Sequence, residues 1–243
     1  PRPSLVITAD CGSSDEPRIA RLREAGIDVV VTDHHALPIE GPPASAYATI
    51  NPTRSDCGYP DKTIAGCMVA WLMMSLTRSV LIEQGVLSSS TPKLSPWLSY
   101  VALGTVADCV SLGASAANRA VVTYGLRLIN RMEAACWRVM AERLGADSVP
   151  FNAETLAFQM GPRINARSRL DDPYAALHYM LAAEDGIARQ HLQVLDDDNQ
   201  ARKALEADMV ESARALAKPQ LADDLLALVI HLPEGHAGVQ GIV

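Results

Sequence analysis

Short runs of apolar and β-branched residues alternate with an amphipathic segment near the start of the chain. Residues 5–8 and 27–32 form two such runs, which predict strands. Between them the apolar positions repeat at helical spacing up to Gly26, so we expect a helix from about residue 15 to 25. A strand, a helix and a strand in this order predict a βαβ unit. Its two strands are parallel, and their carboxyl ends lie on the same edge of the sheet.

The rest of the pattern is mostly helical. A third strand is expected at residues 47–51, and helical patterns follow at residues 63–83, over most of 96–144, and at 153–159, 173–183 and 186–216. A last apolar run, Leu225 to His231, comes after Lys218-Pro219, and it predicts one more strand behind a linker.

These elements predict an α/β fold with a parallel sheet flanked by helices, a long helical connector and the start of a second α/β domain. The first domain covers residues 1–185, the connector helix and linker cover 186–219, and the second domain begins at 220–243. We expect the chain to be an excerpt of a longer protein.

Composition narrows the class of protein only slightly. The net charge of −7 argues against a uniformly basic nucleic-acid wrapper. The apolar runs are much shorter than the roughly 20 residues that cross a bilayer, so no membrane span is expected. Five cysteines without a Cys-x-x-Cys pair predict neither a disulfide framework nor a thiolate zinc site. A reducing cytoplasm fits this cysteine usage best.

Candidate ligands follow the first two predicted strands. Asp10 ends the first strand, and Asp33, His34 and His35 end the second. Because both strands end on one edge, where open α/β sheets bind ligands, these side chains should face one another. Imidazole and carboxylate together suit Mn, Zn or Fe. The alternatives are a surface turn with a pH-sensitive charge for the triplet and a helix cap for Asp10.

Asp108 is a carboxylate in an otherwise apolar stretch, residues 102–110. Burying it alone would be costly, so a cation or a firm hydrogen bond is expected, with a helix-end cap as the alternative. Several polar residues beside Gly161-Pro162 form a candidate anion clamp, because arginine forks match phosphate geometry. They are Arg163, Asn165, Arg167 and Arg169. A salt-bridge cluster with Asp171 and Asp172 explains these arginines equally well.

An ordered set of motifs resembles the DHH phosphoesterases, and in particular the RecJ-type single-strand-specific exonucleases. The set is Val6-Ile7-Thr8-Ala9-Asp10-Cys11-Gly12, Val31-Thr32-Asp33-His34-His35, Ile50-Asn51-Pro52, Ala65-Gly66-Cys67, Ala102-Leu103-Gly104-Thr105-Val106-Ala107-Asp108 and Gly161-Pro162-Arg163-Ile164-Asn165-Ala166. The resemblance covers nearly the whole chain. The last eight residues, from His236 to Val243, resemble the opening of the family's DHHA1-type domain.

The resemblance implies a role for each matching residue. Asp10 would be shared between two metal ions, Mn²⁺ or Mg²⁺, and His34 and Asp108 would be ligands of one of them. Asp33 would support the site, and His35 would face the scissile phosphate. The substrate strand would be held by Arg163, Asn165, Arg169 and His236. The family's Asp-x-Asp-Gly motif is expected before residue 1, so we expect the isolated chain to bind metal weakly and hydrolyse little.

The resemblance also implies an activity, which is hydrolysis of single-stranded DNA from the 5′ end with release of mononucleotides, in DNA repair and recombination. Expected partners are the single strand itself and single-strand-binding or helicase proteins. Two alternatives stay open. One is a phosphodiesterase acting on short oligonucleotides or cyclic dinucleotides, and the other is an inactive replication scaffold of the same fold.

Overall fold

The computed structural model describes residues 2–145, 150–168, 174–221 and 225–242. It divides into two compact units. The sheet unit comprises residues 1–131 and 151–157, and the helical unit comprises residues 132–150 and 158–243. This division by contacts differs from the predicted domain bounds at residues 185 and 219, which stay a prediction.

The predicted βαβ unit is confirmed. Strand β1 (Leu5–Ala9), helix α1 (Glu16–Glu24), strand β2 (Asp28–Thr32) and strand β3 (Ala48–Ile50) follow in order. The strands form a parallel sheet in the order β1-β2-β3, with Ala9 beside Thr32 and Thr32 beside Ile50. All three carboxyl ends therefore lie on one edge. One face of the sheet packs on α1 through the buried residues Ile19, Val29 and Val31.

The remaining helices agree with the helical pattern of the sequence. They are α2 (Gly66–Glu83), α3 (Leu98–Ala107), α4 (Ala116–Ile129), α5 (Ala135–Leu144), α6 (Ala153–Thr155), α7 (Gly161–Ser168), α8 (Ala175–Met180) and α9 (Asp185–Ala217). Single 3-10 turns lie at Ser95–Trp97, Lys218–Gln220 and Gln240–Ile242, and a π-helical turn lies at Leu156–Met160.

A second core in the sheet unit joins α2, α3 and α4. Its buried residues are Ile64, Met68, Val69, Val101, Ala102 and Val121. Helices α3 and α4 approach closely at Gly125, where a Cβ atom would lie 2.2 Å from the Cβ of Ala102. This packing fixes the end of α3, where Asp108 follows.

Helix α2 is also long and apolar enough to cross a membrane, judged by length and composition only. Only 17% of its 18-residue window is buried, and Met74, Leu76 and Val80 are exposed. No membrane span was expected from the sequence. A single helix of this kind is weak support for a membrane role.

The helical unit is built around α9, a helix of 33 residues that packs against α5, α7 and α8. Leu192 and Leu195 of α9 are buried. Tyr179 of α8 is fully buried, and its hydroxyl donates a hydrogen bond to the carbonyl of Cys136 at 2.6 Å. The predicted long helix is therefore confirmed, with bounds one residue wider at each end.

One local prediction was wrong. Leu225 to His231 does not form a strand, although its composition favours one, because a strand also needs a neighbour to pair with its backbone groups. Within the described residues, Leu226 and Val229 lie exposed instead. Residues 161–168, for which no element was predicted, form α7, which begins at Gly161 directly after the π-helical turn.

Candidate metal centre at the carboxyl edge of the sheet

Asp10 follows β1 directly and takes a left-handed backbone conformation, with φ of +63°. Its N–H donates to the carbonyl of Thr32 at 2.9 Å, which continues the pairing of β1 with β2 by one residue. The chain then turns through Gly12, where φ is +115° and a Cβ atom would lie 2.9 Å from Oγ1 of Thr8. This turn leaves the Asp10 carboxylate about half exposed, at 52%, at the end of the sheet.

Asp33 is buried at the end of β2, with only 2% of its side chain exposed. Its Oδ2 accepts a hydrogen bond from the N–H of Ser13 at 2.9 Å. Its Oδ1 accepts from the N–H groups of His34 and His35 at 2.8 and 3.2 Å, and from Nδ1 of His35 at 2.7 Å. Burial alone would raise the pKa of Asp33, but these hydrogen bonds lower it well below its usual range. Asp33 therefore stays ionised, and its hydrogen bonds hold the turn of residues 33–35 in place.

His35 is held at one ring nitrogen and open at the other. Because a carboxylate only accepts, Nδ1 carries the proton in the bond to Asp33. The imidazole as a whole is 60% exposed, and its hydrogen bond to Asp33 leaves Nε2 available. The hydrogen bond to Asp33 raises the pKa of His35 against the opposing effect of burial, and the charges of Asp33, Asp10 and Asp108 raise it further. His35 can therefore donate from Nε2 to an anion over a wider pH range than a free histidine.

His34 brings the two other carboxylates together. Its Nε2 lies 3.2 Å from Oδ1 of Asp10 and 3.3 Å from Oδ2 of Asp108. The same nitrogen is buried and has no hydrogen-bond partner of acceptable geometry among the described residues. A buried polar atom without a partner is costly, and one ion between the three groups would remove that cost.

Asp108 ends α3 and faces the same point. It occupies the C-cap position, and its N–H donates to the carbonyl of Gly104 at 2.9 Å. Burial raises the pKa of Asp108, which the charge of His34 opposes and the nearby charge of Asp10 reinforces. Two carboxylates that repel each other beside one imidazole form a site that a cation would stabilise.

The absence of a side chain at Gly66 allows Asp10 to reach this position. A Cβ atom on Gly66 would lie 2.2 Å from Oδ1 of Asp10 and 2.8 Å from its Cα. Gly66 is the first residue of α2, so the Asp10 carboxylate lies against the positive end of a helix dipole. A similar approach brings α3 to α2, because a Cβ atom on Gly104 would lie 2.7 Å from Sγ of Cys67.

The donor set of the cluster fits a divalent metal ion. Asp10, His34 and His35 each offer one ligand atom, and these atoms all lie within 4.8 Å of one another. Asp108 adds a carboxylate oxygen within 3.3 Å of His34. Carboxylate oxygens suit Mg²⁺ and Mn²⁺, and imidazole suits the first-row transition metals. The fold and the site therefore define an α/β protein with a candidate divalent-metal centre at the carboxyl edge of a parallel sheet.

The sequence match agrees with this site. Residues 1–105 match the DHH family, N-terminal domain, and this range includes β1, β2 and most of α3. The chain belongs to the DHH family, with RecJ-type exonucleases as its relatives over nearly its whole length.

The single-stranded-DNA-specific exonuclease RecJ of Escherichia coli is 38% identical over 249 residues, and that of Haemophilus influenzae is 37% identical over 249 residues. Each match covers 98% of this chain but 42% of the relative, so the chain spans less than half of their length. A crystal structure of exonuclease RecJ bound to manganese aligns with a TM-score of 0.79 and 31% identity, over 98% of this chain and 56% of the other.

A second solved structure is that of RecJ from Thermus thermophilus in complex with Mn²⁺. It aligns with a TM-score of 0.76 and 31% identity, and it covers 98% of this chain and 34% of the other. The predicted fold class is therefore confirmed by these likenesses.

The predicted site residues fall into two groups. Asp10, Asp33, His34, His35 and Asp108 converge in the sheet unit, whereas Arg163, Asn165 and His236 belong to the helical unit, and Arg169 lies outside the described residues. Nε of Arg163 donates to Asp196 at 2.6 Å, and its Nη1 donates to the carbonyl of Gln159 at 2.7 Å. Arg163 thus pairs with Asp196, and Asp171 and Asp172, which were considered from the sequence, lie outside the described residues. Nδ1 of His236 accepts from the N–H of Gly238 at 3.2 Å. The substrate-binding roles of all four residues stay predictions.

Three residues that support the site were not singled out from the sequence. Ser13 donates to Asp33, Gly66 makes room for Asp10, and Asn51 contacts the segments that follow β1 and β2. Gly66 and Asn51 lie within motifs of the family resemblance. Only that membership could have indicated them, because glycine has no side chain and an amide is neither an acid nor a base.

Proposed function

We propose that the protein carrying this chain is a metal-dependent exonuclease that hydrolyses phosphodiester bonds in single-stranded DNA. The observation that carries the proposal is the convergence of Asp10 and Asp108 on the buried, unsatisfied Nε2 of His34. Two divalent ions, Mn²⁺ or Mg²⁺, are the proposed cofactors. They are supported by the donor set and by the related RecJ structures, which hold manganese or Mg²⁺.

In this proposal, Asp10, His34 and Asp108 would hold metal, and the family resemblance implies that Asp10 would be shared between the two ions. A bound divalent ion supplies a nucleophilic water at neutral pH and neutralises charge on the phosphoryl group. Asp33 fixes the imidazole of His35 through Nδ1. His35, with its raised pKa, then donates from Nε2 to a non-bridging oxygen of the scissile phosphate. This placement stabilises negative charge where it develops in the transition state.

The proposed substrate and direction follow the relatives. Their names state specificity for single-stranded DNA, and we propose cleavage from the 5′ end with release of mononucleotides. Arg163, Asn165, Arg169 and His236 are proposed to bind the strand. Arg163 is held at Nε and Nη1, and a guanidinium has five N–H donors, so such a fixed fork still has donors for a phosphate.

We further propose that single-strand-binding or helicase proteins deliver the substrate, and that the protein acts in the cytoplasm in repair and recombination. The net charge of −7 gives no general attraction to DNA, because non-specific binding depends on neutralising phosphates with basic side chains. Delivery by a partner would compensate. All five cysteines are free, which agrees with a reducing compartment.

The test uses the complete protein, Mn²⁺ and a long single strand labelled at either end. We expect mononucleotides from the 5′ end, little cleavage of duplex DNA, and loss of activity in Asp108→Ala with an unchanged fold by circular dichroism. Faster turnover of a dinucleotide or a cyclic dinucleotide than of the long strand would favour the oligonucleotide phosphodiesterase. Binding without turnover in the wild type would favour a scaffold. The convergence of Asp10, His34, His35 and Asp108 argues against a scaffold, which has no need of these four side chains together.

A further inference from the structure

Asn51 is a buried polar residue directly after β3, with 2% of its surface exposed. Its side chain uses its full hydrogen-bonding capacity. Nδ2 donates to Oγ of Ser13 and to the carbonyl of His35, both at 2.9 Å. Oδ1 accepts from the N–H and the hydroxyl of Thr53 at 2.8 and 2.7 Å. A buried amide with every donor and acceptor used has one orientation and holds its partners in place.

These bonds connect the segments that follow all three strands. Ser13 follows β1, His35 follows β2, and Asn51 with Thr53 follows β3. Ser13 also donates its N–H to Asp33 at 2.9 Å. Asn51 therefore acts on the turn of residues 33–35 from two sides, once through the backbone of His35 and once through Ser13.

We propose that Asn51 is a positioning residue for His35. His35 is held at two points. Its Nδ1 donates to Asp33, and its backbone carbonyl accepts from Nδ2 of Asn51. With both points fixed, Nε2 has a defined direction. Its significance for catalysis rests on the proposed function, in which Nε2 meets the scissile phosphate. Displacements of about 1 Å at a reacting group are enough to reduce a rate a hundredfold.

Removal of the Asn51 donor would leave the His35 carbonyl with Oγ1 of Thr53 at 3.2 Å as its remaining side-chain donor, and the one proton of this hydroxyl is shared with Oδ1 of residue 51. The effect should be on His35 rather than on metal binding, because the four side-chain bonds of Asn51 described above reach none of Asp10, His34 and Asp108. An effect confined to His35 would indicate a positioning role, whereas general support of the fold would also affect metal binding and stability.

The test compares Asn51→Asp with Asn130→Asp in the complete protein. Asn130 is a matched control in the same unit, because its Nδ2 also donates to two carbonyls, those of Leu126 and Phe151, both at 2.9 Å. Its Oδ1 accepts from the N–H of Phe151 at 2.7 Å. Each substitution keeps the volume and removes the donor. Measurements are kcat and KM on single-stranded DNA with Mn²⁺, Mn²⁺ affinity by calorimetry, and the melting temperature.

For Asn51→Asp we expect kcat to fall by about 10- to 100-fold, as for other residues that orient a group at a metal site. KM and Mn²⁺ affinity should stay within about threefold of the wild-type values, because substitutions at sites that do not interact have small effects on each other. Asn130→Asp should lower the melting temperature and leave kcat within the same range. Equal losses of kcat in both variants, or wild-type kcat in Asn51→Asp, would overturn the proposal.

A readout independent of turnover is the ¹⁵N spectrum of histidine-labelled protein without metal, with the His35 signals assigned by their loss in His35→Gln. At a pH where the imidazole is neutral, we expect His35 of the wild type and of Asn130→Asp to be held as the Nδ1–H tautomer, and Asn51→Asp to show mixed tautomers. An unchanged His35 spectrum in Asn51→Asp would contradict positioning. If Asn51→Asp does not fold, Thr53→Val, at an exposed residue, should give a smaller change in the same direction, and no change would also overturn the proposal.

The two proposals can fail separately. A wild-type protein without metal-dependent cleavage of single-stranded DNA would refute the proposed function, while the histidine spectra would still decide whether Asn51 positions His35. A cleaving wild type with an unaffected Asn51→Asp variant would refute positioning alone.

Discussion

Two clusters of charged side chains, one in each unit, differ in whether the chain satisfies them. In the helical unit, Asp196 is buried and accepts from Nε of Arg143 and Nε of Arg163, both at 2.6 Å. In the sheet unit, Asp10 and Asp108 converge on His34, whose Nε2 has no aligned partner among the described residues. The carboxylate of the first cluster is matched by cationic partners, whereas the second cluster has two carboxylates beside one imidazole.

The pKa values separate the two clusters in the same way. Burial acts to raise the pKa of Asp196, but Arg143 and Arg163 together bring it below its usual range. At Asp108 burial prevails over the charge of His34 and raises the pKa. A buried carboxylate with matched cations supports the fold. Asp108, whose side chain is 31% exposed, has a raised pKa without a matched cation, which is typical of a functional site.

The largest expected difference is in catalysis. Asp108→Asn should reduce metal-dependent cleavage by at least about a thousandfold, because a metal ligand contributes several kcal/mol to the stabilisation of transition-state charge. In protein treated with a chelator, the same variant should keep its free energy of unfolding, because the substitution removes a charge that Asp10 repels. Retained cleavage, or a clear loss of stability without metal, would contradict the comparison.

Asp196→Asn should act in the opposite way. Loss of a carboxylate from a buried ion pair leaves uncompensated charge and typically lowers the free energy of unfolding by about 3 kcal/mol or more. The control is Asp185→Asn, whose partly exposed pair with Arg138 should contribute much less, because solvent screens it. Denaturant titration measures both, and Mn²⁺ affinity should not change. Equal effects of the two variants would show that burial does not distinguish these pairs.

Gly66→Ala tests how closely α2 packs against the cluster of Asp10, His34 and Asp108. The new methyl group would overlap the backbone and carboxylate of Asp10, so Asp10 must move, and Mn²⁺ affinity should fall by about 10- to 100-fold. Gly186→Ala is the matched control, because a Cβ atom there meets nothing within 4 Å. It should be neutral or slightly stabilising. Unchanged Mn²⁺ affinity in Gly66→Ala, measured by calorimetry, would rule out this role of Gly66.

The smallest expected effect is a change in pH dependence. The pKa of Asp196 is lowered in the folded state, so the stability that it contributes is present above the pKa of an unfolded aspartate, about 4, and is lost as the pH falls below it. Melting temperatures measured from pH 6 to pH 3 should therefore fall less steeply in Asp196→Asn than in the wild type. Parallel curves would show that Asp196 does not contribute to acid unfolding.

The sequence was sufficient for the parts of the fold that depend on local pattern and on chain direction. Parallel strands 5–9 and 28–32 must end on one edge, so the meeting of Asp10 with His34 could be predicted from topology. Asp108 was found because a lone carboxylate in an apolar stretch needs a partner. In both cases the physical requirement is visible within a few residues of the chain.

Other features depend on neighbours that local pattern does not reveal. Asp196 lies far along the chain from Arg163, and only the packing of α7 on α9 brings them together. The role of Gly66 depends on the space beside Asp10. Residues 225–231 have the composition of a strand, but a strand also requires a partner strand, which composition does not supply.

The distribution of the candidate ligands along the chain has a consequence for how the protein folds. Asp10, His34 and Asp108 come from β1, β2 and the end of α3, so they meet only after the parallel sheet has formed and α3 has packed beside it. Parallel pairing depends on contacts distant in sequence, which form slowly. A metal ion therefore finds no preformed site in the unfolded chain and cannot initiate folding. It binds last, and the appearance of metal affinity during refolding would report completion of the native sheet unit.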